Sequence, residues 1–529
     1  MMETDPYVLA IDLGTSGCKV ALVSKQGHVA GWEFEEVETT LLPGGGAEQD
    51  PEAWWQAFLR AGRRLLAKNA ALAEKVIALC SSTQGEGTVA VDRDGSPLMP
   101  CILWMDTRGV AYLKQITGGL IRVAGYDLFK LYRWIHLTGG APSLTGKDPA
   151  AHMLLIKYAF PDIYAQTYKF LNVLDFMNLR LTGRFVATYD SITTSWVTDN
   201  RDPTTIDYSN ALIRCSGVDR DKFPELVPCT ESLGPLRSEV AEALGLPQGI
   251  PVVAGSIDTT AAAIGSGAIE DYALHLYLGT SSWMAAHVPF KKTDIFSSIA
   301  SLPCAVPGRF LMTALQATAG GNLSFLRDKI LYHKDELLSE AQTPDVYKIM
   351  DHIVKRTPPG SHGVLFTPWS YGERSPVDDP YIRAAIHNLS LHNSREDIVR
   401  AFFEGVAFNN RWLLRPVQRF LGKCPESITL TGGGAASDIW CQIFADILGL
   451  TVRQLANPIQ VNSLGAAFIA FVGLGILRYE EAAQLTRYKG TYTPNPETQA
   501  LYDRCFREFV ALYKHNKAIY RRLNRGAER

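Results

Sequence analysis

Ile11-Asp12-Leu13-Gly14-Thr15-Ser16 and, far downstream, Leu276-Tyr277-Leu278-Gly279-Thr280-Ser281 decide how this chain reads. Each is a short β-prone run and a Leu-Gly-Thr-Ser turn, followed by a second β-prone run: Cys18 to Val23 in one, Trp283 to Ala286 in the other. This is the pattern of a β-hairpin whose turn is held by glycine. A glycine followed by hydroxyl residues presents unobstructed N–H groups and O–H donors on one edge, which suits phosphate oxygens. One such turn is commonplace. Two, near the start of each half of the chain, predict a duplicated fold with two phosphate-gripping hairpins facing one cleft.

The surroundings of each hairpin extend that plan. Tyr7–Asp12, Lys19–Ser24 and Val29–Glu36 read as three antiparallel strands. Asp50-Pro51-Glu52 opens a helix with an aspartate cap and a proline in the first turn, and Trp54, Trp55, Phe58 and Leu59 fall on one face. Val76–Ser81, Thr88–Asp92 and Ile250–Ala254 read as further strands, an α/β arrangement. We expect a first domain over 1–268 with a helical insertion over about 126–228. A second domain over 269–529 should follow, with a helical tail from about 476. Within it, Glu396–Leu421, Asp438–Leu448 and Asn462–Val472 read as helices and Ser427–Thr431 as a strand.

Composition sets the class. A chain of 529 residues exceeds what one hydrophobic core serves, so two large domains are the default. A net charge of −2 gives no long-range attraction to nucleic acid or an anionic membrane, and neither is expected as a partner. The basic run Lys514 to Arg529 reads as a solvated terminal helix. The apolar run Tyr7 to Ile11 is too short for a secretory leader, and Leu464 to Leu477 reads as a buried helix rather than a span. Nine scattered cysteines without a C-x-x-C pair predict reduced, mostly buried thiols and a cytoplasmic address.

Several polar residues could carry chemistry, and each has a plainer reading. Asp12, beside the first turn and Lys19, could organise a magnesium ion through water or simply bond its own turn. Asp258, at a strand-to-helix passage among small residues, could accept the proton of an attacking hydroxyl or only cap the helix. Gly432-Gly433-Gly434 would let backbone lie flat on a ring or phosphate chain, or form an ordinary connection. The helix from Asn462 could pack behind it. Gln84, Glu86, Trp104, Asp106 and Arg108 suit a polyhydroxylated ligand, with a mutual Asp106–Arg108 ion pair as the rival.

Taken in order along the chain, these segments resemble the FGGY carbohydrate kinases of the actin–hexokinase superfamily. Asp12 to Ser16 resembles that family's first phosphate motif, Leu278 to Ser281 its second, and Gly432 to Ala435 its adenosine motif. Gly146-Lys147-Asp148-Pro149 and Tyr371-Gly372-Glu373-Arg374-Ser375-Pro376 are similar to other recurrent segments. The resemblance implies two ribonuclease H-like domains around a cleft, and ATP- and Mg2+-dependent phosphoryl transfer to a sugar or polyol. It puts the catalytic base on Asp258, while Asp12 stays the candidate metal residue from its place beside the first turn. The nucleotide would lie on Gly14, Thr15, Ser16, Lys19, Gly279, Thr280 and Gly432 to Gly434. The sugar would lie among Gln84, Glu86, Trp104, Asp106, Arg108 and Asp258.

The substrate reading is mixed. Trp104 to Arg108 and the Gly-Glu-Arg-Ser-Pro segment resemble xylulokinases, but Glu86 stands where those enzymes usually carry histidine. A glutamate there is more like glycerol kinases, whose neighbouring arginine is here Gly85. A pentulose such as xylulose is the first expectation, with another ketose or a polyol behind it. An actin-like nucleotide switch without sugar kinase activity is the rival, and a homodimer is an open option.

Overall fold

The computed structural model describes residues 5–331 and 345–524. Strands β1 (Tyr7–Gly14) and β2 (Gly17–Ser24) form the first hairpin, and β3 (Val29–Glu36) adds antiparallel to β2. Helix α1 (Pro51–Lys68) packs across them. Asp50 caps it by accepting the Glu52 N–H, and Trp54, Phe58 and Leu65 bury the inner stripe. On the other side of β1 lies β4 (Val76–Thr83), parallel to it. The chain then runs through α2 (Pro149–Ala159) and α3 (Val173–Thr182) and returns as β5 (Ser232–Pro235) and β6 (Pro251–Ile257). The sheet order is β5-β6-β4-β1-β2-β3, and α4 (Asp258–Gly265) leaves its end.

The second half rebuilds this core. Strands β7 (Leu274–Leu278) and β8 (Ser282–Val288) form the second hairpin; β9 (Ile299–Pro303) and β10 (Phe310–Gln316) extend it. After α5 (Gly320–Phe325) and α6 (Arg395–Leu421), β11 (Ser427–Thr431) pairs parallel to β7. Helix α7 (Asp438–Leu448) then leads to β12 (Thr451–Leu455), parallel to β11. The five strands β3-β2-β1-β4-β6 therefore repeat as β10-β8-β7-β11-β12, in the same order and the same directions. The expected duplication is present at the level of topology.

Two helices join the halves. Helix α8 (Val461–Gly473) comes from the second half but lies against α4 and the first sheet. A Cβ placed on Gly265 would sit 1.9 Å from the Val461 carbonyl oxygen, and one on Gly465 1.9 Å from that of Ala261. Glycine is what allows the two backbones to meet. One apolar cluster runs through the seam, from Val8, Ala10 and Val253 to Trp283, Leu464 and Phe468. The small residues of α8 thus pack on α4 and not behind the triple glycine; only the turn before α8 reaches it, where Pro458 accepts the Gly432 N–H.

Two expectations need correction. The insertion over 126–228 is not purely helical, because short ladders pair Val186–Thr188 with Glu225–Val227 and Thr198–Asp199 with Asp207–Tyr208. The tail after 476 contains β13 (Tyr488–Tyr492), the edge strand of the second sheet, before α9 (Pro496–Asn524). In the tail, pairing onto the existing β12 outweighs weak local preference, whereas the insertion's ladders pair short segments only with each other. The last five residues of the basic run Lys514 to Arg529 lie outside the described residues. All nine cysteines are unpaired and six are buried, as expected. No helix among the described residues is long and apolar enough to cross a membrane.

Candidate active site

Asp258 is the first residue of α4, at the exit of β6. Ile257, the capping position, supplies no side-chain cap of its own. Asp190, a buried carboxylate from the insertion, holds that position in place by accepting the Ile257 N–H at 3.1 Å. Asp190 therefore fixes the start of the helix that carries Asp258, a role the sequence did not reveal. Asp258 remains partly open to solvent. Removal of most of its water pushes its carboxyl up to about 7; Asp12 adds to this strongly and Glu86 and Asp190 less so, against the lowering Thr259 N–H. A carboxyl poised near neutrality can take a proton and release it.

Asp12, near the end of β1, is held from both sides. Lys19 Nζ donates to Oδ2 at 3.0 Å and Asn462 Nδ2 to Oδ1 at 3.2 Å, so helix α8 brings a second-half residue to a first-half carboxylate. Lys19 also donates to the Ile459 carbonyl at 2.9 Å. The Oδ1 of Asn462 is buried without a hydrogen-bond partner among the described residues. Among the described residues no three His, Cys, Asp or Glu side chains cluster as a ready-made metal cage. That donor set fits magnesium, which binds through one or two carboxylates and keeps water and phosphate oxygens as its other ligands.

The two Gly-Thr-Ser turns are built differently. In the first, Thr15 Oγ donates to Gln84 Oε1 at 2.7 Å and accepts from Trp104 Nε1 at 3.0 Å. Gln49 donates to the Thr15 carbonyl at 2.7 Å, accepts from Gln84 Nε2 at 3.0 Å, and also accepts from Trp54. Gln84 is buried with both amide ends used, so it holds the turn instead of facing a sugar. The only exposed member of the turn is Ser16. In the second turn, the Gly279 and Thr280 carbonyls accept N–H groups of Ala319, Gly320 and Gly321 at 2.8–3.1 Å. A Cβ on Gly320 would come within 2.6 Å of the Gly279 oxygen. Thr280 is exposed, and its hydroxyl has no hydrogen bond among the described residues.

The triple glycine backs onto this second turn. A Cβ on Gly432 would meet the Leu278 carbonyl at 2.7 Å and one on Gly434 the Leu278 side chain at 2.6 Å, whereas Gly433 is exposed with open space above it. Gly432 and Gly434 are packing residues, and Gly433 is the flat surface.

Asp106 also departs from expectation. It is fully buried and takes the Ala47 N–H at 2.9 Å, the Arg108 N–H at 2.8 Å and the Arg108 guanidinium at 2.6 Å. Arg108 reaches on to Glu48 at 2.6 Å. The mutual ion pair is the one the structure adopts, and it leaves the Asp106 carboxylate no capacity for a ligand. Trp104 is partly exposed and stays at the cleft through Thr15.

Glu86 meets partners that no local pattern announced. It sits between Gly85 and Gly87 with φ +62°, a left-handed conformation that costs a non-glycine residue about 1–3 kcal/mol and clusters at functional sites. Burial raises its carboxyl, and Arg374 and Lys147 oppose that rise. Burial and the nearby Glu86 push Asp148 up to about 7; Asp148 also accepts from Trp196 Nε1 and the Ser143 N–H, each at 2.6 Å. Lys147 lies 5.3 Å over the Tyr371 ring. The two segments without an assigned role thus converge on Glu86, one from each half. Behind Arg374, Glu373 accepts from Ala317 N–H at 2.8 Å and from Asn409 at 2.6 Å, tying this loop to the backbone that clamps the second turn.

Comparison with known proteins agrees with this geometry. Residues 7–265 match the N-terminal domain, and 274–474 the C-terminal domain, of the FGGY family of carbohydrate kinases. A xylulose kinase of Escherichia coli is 30% identical over 474 residues, covering 87% of this chain and 89% of that one. A xylulose kinase of Lactococcus lactis is 28% identical, with 98% of each chain covered. The fold of a gluconate kinase from Lactobacillus acidophilus superimposes with a TM-score of 0.84 over 98% of this chain and all of that one, at 22% identity. With both domains matched in order and a relative this similar over most of its length, the chain belongs to the FGGY family of carbohydrate kinases.

Proposed function

We propose that this carbohydrate kinase transfers the γ-phosphate of ATP to a terminal hydroxyl of a pentulose such as xylulose, with another ketose or a polyol as the second choice. One observation carries the reading: Asp258, a carboxyl pushed up to about 7, lies close enough to Tyr277 to act on its phenol, and Tyr277 stands two residues before the open, backbone-clamped Gly-Thr-Ser turn. Asp258 accepts the hydroxyl proton as the oxygen attacks the phosphorus in line, and the O–P bond to ADP breaks as the new one forms. Thr280 Oγ and the Gly279 turn hold the phosphate chain, and Gly433 gives the nucleotide a flat seat. Asp190 and the α4–α8 seam keep Asp258 in position. Magnesium, held from the Asp12 side with Asn462 behind it, would offset charge on the phosphate oxygens. Positioning is then most of what the protein supplies.

Glu86, Lys147, Asp148 and Arg374 form the wall that faces the acceptor, with Trp104 beside it. The pentulose assignment is supported by the xylulose kinase relatives. Two ribonuclease H-like domains that close on the cleft, and a cytoplasmic setting with reduced thiols, complete the proposal. The test is coupled ADP release across ketoses, aldoses, polyols and sugar acids. We expect strong stimulation by a pentulose. Release that ignores every added sugar would instead support a nucleotide switch, and preference for a sugar acid would reassign the acceptor.

A further inference from the structure

One sizeable cavity among the described residues lies outside the cleft. It is an open pocket of about 730 Å³ at the C-terminal end of α6, closed by Pro376 and by Val510 of α9. Arg415, Arg419 and Lys423 line it and no Asp or Glu does; among the described residues none of the three has an acidic partner within ion-pair distance, while Arg415 lies 5.0 Å over the Phe506 ring and Lys423 4.0 Å over that of Tyr272. Cations near a helix C-terminus are partly explained by the helix dipole. Here, however, Lys292 already donates to the Phe420 carbonyl at 2.8 Å, and the dipole does not account for a cavity built from four separate segments, at Ser297, Pro376, Trp412 to Cys424 and Val510. Trp412 and Pro376 supply an apolar wall beside the charges. Pro376 lies two residues from Arg374, and Ser375 Oγ donates to the Ser298 carbonyl at 3.0 Å, so an occupant would touch the loop that carries Arg374 to the cleft.

We infer that this pocket is a second binding site, separate from the nucleotide and acceptor sites, for a phosphorylated small metabolite: phosphate on the three cations, organic body against Trp412. Paired guanidinium groups are suited to phosphate recognition. Cys424, the one exposed cysteine among the described residues, lines the same pocket and provides a local reporter.

The experiment measures alkylation of Cys424 by iodoacetamide, read by peptide mass spectrometry on the full chain. The probes are ribose 5-phosphate, inorganic phosphate, ribose, and sodium chloride at matched ionic strength. We expect saturable slowing by ribose 5-phosphate, about tenfold at ten times its half-saturating concentration by mass action. Ribose and salt should leave the rate unchanged, and inorganic phosphate should protect only at higher concentration. Arg415→Glu with Arg419→Glu, and the milder pair Arg415→Ala with Arg419→Ala, should abolish protection while ATP still raises the melting temperature. The proposal is overturned if wild-type Cys424 is not protected, if salt or inorganic phosphate protects as well as ribose 5-phosphate, or if a folded double variant is protected as strongly as wild type.

Discussion

The two halves carry the same Gly-Thr-Ser turn and hold it by opposite means. Side chains fix the first: Thr15 is locked between Gln84 and Trp104, with Gln49 on its carbonyl. Backbone fixes the second, through the N–H groups of Ala319 to Gly321, which leaves the Thr280 hydroxyl exposed. A hydroxyl already satisfied inside the protein has little to offer a ligand, and a free one at an open turn has much. On the proposed function, the first turn serves mainly to place Asp12 and Lys19, and the second turn is the proposed phosphate grip. Duplicating a fold did not duplicate the work.

Breaking the chemistry outright should have the largest effect. Asp258→Asn should lower turnover by roughly 10²–10⁴-fold and spare ATP binding, because the amide cannot accept the hydroxyl proton. Steady-state kinetics with a nucleotide-binding titration would check this; near-normal turnover would reduce Asp258 to a helix residue.

The comparison itself is sharpened by one matched pair. Thr280→Val should weaken ATP by about 1.5–3 kcal/mol, the usual loss for a hydrogen bond to a charged group, and leave the acceptor nearly untouched. Thr15→Val should instead lower the melting temperature, since the buried Gln84 Oε1 loses its partner at about 1–3 kcal/mol and the partly exposed Trp104 Nε1 loses one as well. Its effects on ATP and acceptor should be similar. If Thr15→Val were the variant selective for ATP, the assignment of the two turns would be reversed.

Smaller effects are expected at the acceptor wall. Glu86→Ala should lower kcat/KM for the preferred sugar by about tenfold, or 1.4 kcal/mol. Glu86→His should shift the ranking of substrates toward xylulose. A substrate panel on wild type and both variants checks this, and an unchanged ranking would remove Glu86 from the acceptor site.

Much of this was legible in the sequence because it is local. The hairpins, the Asp50-Pro51 helix start and the small-residue face of α8 follow from alternation, capping and periodicity within short windows. The Asp106–Arg108 pair could be anticipated from two opposite charges two residues apart, though not its extension to Glu48. What could not be read required distant segments to meet. Gln84 looks like a cleft residue until Gln49 and Trp54 close over it. Asp190 has no local signature as the partner of the Ile257 N–H, and Glu86 meets Arg374 only because the two halves face each other. Sequence names the polar residues; tertiary packing decides which of them are already spent.

The most direct test of the account is the pH dependence of kcat/KM in the coupled ADP-release assay, on wild type and Asp258→Asn. Asp258 must be ionised to accept a proton, and its carboxyl stands at about 7, raised from an ordinary 3.8. The wild-type rate should therefore rise with pH through about 7 and level off above it, and the residual Asp258→Asn rate should lack that limb. A wild-type profile flat from pH 5.5 to 8, or the same limb surviving in Asp258→Asn, would contradict the assignment of Asp258 as the base.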